Sequence, residues 1–158
     1  MFRELQRKNK ELSSEKCIEI LTNEKRGVLS VIGDNGYPYG MPMNHFYNEQ
    51  DGNIYFHCGR NGHRIDSLKK NNKASFCVYD SGTVSEGEWA LAINSVIVFG
   101  KVEIIDDART ISDISYKLSR KFTDDEENIK HEIECFSHET LILKMRVEHI
   151  CAKAVKEQ

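Results

Sequence analysis

The sequence predicts an α+β domain that is mainly β: six or seven antiparallel strands curled into a small barrel, with helices flanking it. Three observations carry that expectation. Apolar and polar residues alternate in several short runs. Glycine- and asparagine-bearing turns separate those runs at hairpin-like spacing. Helical spacing is confined to four short stretches, two of which stand together before one last β-like run. At 158 residues the chain suits a single domain spanning 1–158, with polar residues 1–12 as a loose lead-in.

Taken in order, Ser13 or Ser14 can cap a helix running to about Asn23, in which Cys17, Ile18, Ile20 and Leu21 recur at helical spacing. Residues 27–33 are a nearly continuous β-prone run and predict a buried strand. Asp34-Asn35-Gly36 supplies a hairpin turn, because Asn-Gly tolerates positive φ. The return strand, 37–47, carries Pro38 and Pro42; each lacks an N–H, which predicts an edge or bulged strand. A third strand covers Ile54 to Cys58, a short helix 65–71, and a fourth strand 73–79. Residues 80–88 read as a mobile loop.

The longest β-like stretch is 88–106. Trp89, Leu91 and Ile93 share one parity, and Val96, Val98, Gly100, Val102 and Ile104 the other, which predicts a bulge, a bend or a junction of two strands near Asn94-Ser95. Trp89 is expected in the core or an interface more often than over a ligand. Asp106-Asp107 can cap a helix bearing Ile111, Ile114 and Leu118. Thr123 to Glu126 reads as a capping box opening a helix to about Phe136. In the closing strand, 141–150, Leu141, Leu143, Met145 and Val147 share a face, and 151–155 extend it.

Composition excludes several classes of function. Hydrophobic residues at 39% and charged residues at 30% describe a soluble globular chain, and the apolar runs are too short to cross a bilayer. No apolar stretch near Met1 resembles a secretory signal. A formal net charge of -3 offers no bulk attraction for nucleic acid. Cys17, Cys58, Cys77, Cys135 and Cys151 are odd in number and widely spaced, which fits neither a zinc site nor a disulfide framework. They are expected as small apolar residues of a reduced, cytoplasmic protein. His45, His131, His138 and His149 lack metal-ligand spacing, so no metal is expected. No nucleophile elbow or Walker loop is present.

The stretch with the clearest chemistry is His57 to Asp66. It is a strand end, a turn containing Gly59 and Gly62, and a helix start. The first N–H groups of a helix have no intrahelical partner, and the helix dipole favours an anion there. Arg60, His63 and Arg64 add side-chain donors. Read alone, such a loop is more often a solvated turn with ordinary surface charges.

Several segments together resemble the flavin-binding split-barrel superfamily, pyridoxamine 5'-phosphate oxidase-like, and within it the nitroimidazole-resistance (Nim-type) branch. They are Gly27-Val28-Leu29-Ser30, Gly36 to Asn44, Ile54 to His57 with Gly62-His63-Arg64-Ile65-Asp66, Ser95 to Lys101, and Ile150 to Ala154. They occur in the same order and with similar gaps over about residues 25–155. The resemblance implies a six- to seven-stranded antiparallel split β-barrel and a homodimer holding two FMN molecules at its interface. It implies His63 and Arg64, in the loop opened by Gly62, for the FMN phosphate. Met43 and Asn44, with the strand from Met41, and Asn94, Ser95 and Val96 would line the isoalloxazine. His57 would be a further contact by parity. The family's frequent Thr-Gly-Lys near the C-terminus is replaced by Cys151-Ala152-Lys153. The implied activity is electron transfer from a reduced donor such as NAD(P)H to a small-molecule acceptor, with no catalytic side chain assigned. The alternative is a flavin- or haem-binding module that senses or stores without turnover.

Overall fold

The alternating runs pair into one eight-stranded antiparallel sheet, seen in a computed structural model that describes residues 1–156. Its elements are α1 (Ser14–Asn23), β1 (Arg26–Ile32), β2 (Pro38–Asn44), β3 (Phe46–Asn48), β4 (Asn53–Gly59), α2 (His63–Lys70), β5 (Lys73–Tyr79), β6 (Thr83–Val84), β7 (Leu91–Ile105), α3 (Ala108–Ser119), α4 (Glu126–Phe136) and β8 (Thr140–Lys156). The sheet order is β2-β1-β5-β7-β8-β4-β3, with β6 paired to β7. Two strands are short enough to escape a periodicity reading: β3 has 3 residues and β6 has 2.

The two edge strands, β2 and β3, are consecutive in the chain and joined by His45 alone. The sheet therefore curls until its edges meet at that corner, giving a split barrel. Sequence predicts one return strand over 37–47; in the structure the chain changes sides of the split at His45. Three bonds fix the corner. His45 Nε2 lies 2.8 Å from Leu21 O, His45 N donates to Lys25 O at 3.4 Å, and Lys121 Nζ donates to His45 O at 3.0 Å. His45 is fully buried, and burial pushes its pKa down to about 3.

Inside the barrel, Phe56 and Phe76 meet edge to face at 5.0 Å and neither is reached by solvent. Leu21 from α1 and Ile65 and Leu68 from α2 pack on the same core. A second cluster seats α3 outside the barrel through Ile111, Ile114, Tyr55 and Ile142. The caps at Ser13 and Asp107 are as sequence predicts, accepting from Lys16 N and Thr110 N. The cap of α4 is Asp125, accepting from Asn128 N, rather than Thr123, whose hydroxyl accepts from Asp125 N instead.

Three further expectations change. β1 is not buried on both faces: Leu29 and Val31 point into the core, while Val28 and Ile32 are exposed. The irregularity in β7 lies at Phe99/Gly100, not at Asn94-Ser95. The surplus residue is Glu148 of β8, and Gly100 is required opposite it because a Cβ would run into the Arg146 carbonyl. Trp89 is 78% exposed, outside the core of the chain. The prolines behave as read, both lying on the edge strand β2.

Outward residues of five strands line up in two rows. Pro42, Val28, Cys77, Ile97 and Cys151 are mutual cross-strand neighbours, and so are Gly40, Ser30, Ser75, Phe99 and His149. Neither row holds an acidic residue, lysine or arginine.

Candidate functional site

β3 pairs with β4 only through Asn53, Ile54 and Tyr55. His57, Cys58 and Gly59 therefore have no strand neighbour on that side, and β2 faces them across the split. A groove of about 490 Å³ opens there. Pro42, Met43 and Asn44 form one wall, His57, Cys58 and Gly59 the other, and Arg64 of α2 reaches in. Phe136, Glu139 and Thr140 complete the rim from the α4–β8 junction.

Arg64 is the distinctive group. Its Nε donates to Met41 Sδ at 3.1 Å, a weak thioether acceptor, and among the described residues it forms no ion pair. A half-buried guanidinium without a carboxylate has unmet capacity for an anion. Gly62 precedes α2 with φ +119°, a conformation that favours glycine, and no side chain caps the helix. The first N–H groups of α2 thus start beside Arg64 without a side-chain acceptor.

The other donors of the loop are otherwise engaged. Arg60 pairs with Asp106 and also donates to His138 O and Thr140 O, so it fastens the loop to the barrel. His63 does not line the groove; its ring stacks on Tyr39 at 4.3 Å, and its Nε2 accepts from Asp34 N at 3.4 Å. In the groove, burial and then the neighbouring Arg64 charge lower the pKa of His57, which favours a neutral imidazole. Burial raises the Cys58 thiol pKa, outweighing Arg64, so Cys58 is an unreactive wall. Asn44 Oδ1 accepts from Arg26 Nε at 2.8 Å, leaving its amide N–H groups free to donate.

The sequence candidates therefore divide. Met43, Asn44, His57 and Arg64 share the groove, and Gly62 and His63 flank it. Asn94, Ser95 and Val96 are not among its lining residues. Asn94 N and Nδ2 both donate to Asp80, at 3.0 and 2.7 Å. Ser95 shares the outward parity of Ile97 and Phe99, beside Tyr79 and Lys153. Val96 is fully buried, so only its backbone could meet a ligand. Phe136, Glu139 and Thr140 were not singled out by sequence; they arrive from the far end of the chain with no local motif. Among the described residues, no group of three or more metal-ligating side chains occurs. No helix there is long and apolar enough to cross a membrane.

Residues 13–154 match the family model of pyridoxamine 5'-phosphate oxidase. The chain belongs to that family. No curated protein sequence matches it at a significant level. Solved structures of family-like fold do. A candidate 5-nitroimidazole antibiotic resistance protein from Bacteroides thetaiotaomicron superposes with TM-score 0.75 at 20% identity, covering 91% of this chain and 85% of that one. A FAD-binding protein from Mesorhizobium loti gives 0.63 at 22% identity, covering 91% and 96%. A FAD and heme binding protein from Mycobacterium smegmatis gives 0.69 at 18% identity, covering 89% and 70%. These likenesses confirm the split-barrel fold.

Proposed function

We propose that this protein is an FMN-binding flavoprotein, working as a homodimer and passing electrons from a reduced donor such as NAD(P)H to a small acceptor. The observation that carries the reading is Arg64, a cation with no ion pair among the described residues, set in the split beside a helix start that no side chain caps. The donor set suits a phosphate: a guanidinium fork and free backbone N–H groups. Family membership and the flavin ligands named for two of the similar structures support the same cofactor class.

When bound, the flavin would supply the redox chemistry. The chain's own residues would bind and orient it. Arg64 would hold the phosphate, Asn44 and His57 would offer hydrogen bonds at the ring or its ribityl chain, and Met43 would pack against it. Phe136 at the rim would limit water. The nitro-aromatic acceptor of the Nim-type branch is one candidate substrate.

The homodimer reading draws on two features. The outward rows are broad and free of acidic residues, lysine and arginine, and they reach the groove at Pro42, which belongs to both. Ser95, excluded from the groove of its own chain, lies on that outward face, where it would be offered to the site of a second copy.

A second reading, a flavin- or haem-binding module without turnover, is favoured by the unreactive Cys58 and by a neutral His57, which could serve as a haem ligand. Anaerobic mixing of the FMN-loaded protein with NAD(P)H separates the two. Bleaching of the flavin followed by recovery on adding a nitro-aromatic supports turnover; a flavin that neither donor nor acceptor changes supports storage or sensing.

A further inference from the structure

Residues 1–7 lie across part of the outward sheet face. Phe2 stacks on His149 with ring centroids 4.8 Å apart and planes 7° from parallel, and its centroid is 5.7 Å from that of Phe99. The arm hangs from a fixed point, where Leu12 N donates to Ala152 O at 3.2 Å and Glu11 bridges to Lys153. Beneath it lie Ile97, Phe99 and Cys151, members of the two outward rows.

The seat is loose. A space of about 620 Å³ remains between arm and sheet, and Phe2 keeps 43% of its surface exposed. The arm is also badly suited to staying in place when a second sheet arrives. It would carry Arg3, Glu4 and Arg7 into a dry interface, and among the described residues only Glu4 of these has an ion-pair partner, Lys8 at 3.0 Å. Burying charges without partners is unfavourable.

We propose that residues 1–7 form a displaceable latch, which competes with a second copy of the chain for the surface of Ile97, Phe99 and His149. The proposal rests on the homodimer reading above. Association then requires the arm to lift, so the observed dimer affinity is the intrinsic affinity reduced by the fraction of chains with the arm raised. A single aromatic stack is a weak tether, so the latch sets the threshold concentration for dimerisation without preventing it.

The test is sedimentation velocity over a concentration series on the full chain, a chain lacking residues 1–7, and Phe2→Ala. Thermal melting of each confirms folding. The latch predicts a dimer about tenfold tighter in the shortened chain, with a smaller shift in the same direction for Phe2→Ala. A dimer that is unchanged or weaker after shortening overturns the latch and leaves the dimer standing. Chains that remain monomeric in all three forms overturn both.

Discussion

Arg60 and Arg64 stand four positions apart, and their surroundings give them opposite work. Arg60 meets a carboxylate and two carbonyl oxygens, so its charge is satisfied by the protein. Arg64 rests on the Met41 thioether beside Cys58 and, among the described residues, meets no carboxylate. Replacing Arg60 with alanine should therefore cost stability and spare ligand affinity. The pair with Asp106 is half exposed, so the expected loss is about 1 kcal/mol in a denaturant titration, with FMN affinity within about twofold of wild type. The sequence marks both arginines as donors on one loop. It cannot distinguish them, because the partners of Arg60 lie at 106, 138 and 140, brought near only by the closure of the barrel.

At the scale of elements, the corner at His45 matters most. It ties two sheet edges, α1 and the end of α3 through one buried imidazole and one lysine. His45 has a reference pKa of 6.5, lowered to about 3 by burial first and by Lys121 second. The unfolded chain takes up a proton as pH falls through the reference value, and the folded chain does not until about pH 3. Stability is thus full above pH 6.5 and declines as pH falls toward 3, by roughly 5 kcal/mol for this group. Denaturant midpoints measured across that range should show the slope, and His45→Gln, less stable at neutral pH, should flatten it. Here the sequence was only partly legible. The prolines of β2 mark it as an edge, and the caps of α1 and α3 are written in Ser13 and Asp107. Nothing local marks the break at His45, since a three-residue strand has no period of its own. The bulge was misplaced for a related reason. The parity change near Asn94 reflects a strand end outside the core, whereas the surplus residue, Glu148, lies in the partner strand.

For the whole molecule, the fold was readable from its alternation, and the full groove was not. Part of the rim comes from Phe136, Glu139 and Thr140, which no spacing links to His57. The separation of Ser95 from Arg64 has a clear meaning if two chains share the site: each copy holds a phosphate end and lends an outward face. A charge placed in the middle of the outward rows should then break association and cofactor binding together. Ile97→Glu is expected to shift the protein to monomer in sedimentation and to weaken FMN binding at least tenfold. Its far-UV circular dichroism should match the wild type, because Ile97 is outside the core, while its thermal midpoint loses the concentration dependence that a dimer confers.

The claim on which all of this depends is that the split between β2 and β4 holds a flavin phosphate on Arg64. Fluorescence-quench titration of FMN into the purified, flavin-stripped protein and into Arg64→Ala tests it most directly. Saturable binding by the wild type, weakened about ten- to a hundredfold in the variant by the loss of roughly 1.5–3 kcal/mol, is the result expected. Equal affinity in both, or no binding by a folded wild type, would contradict it.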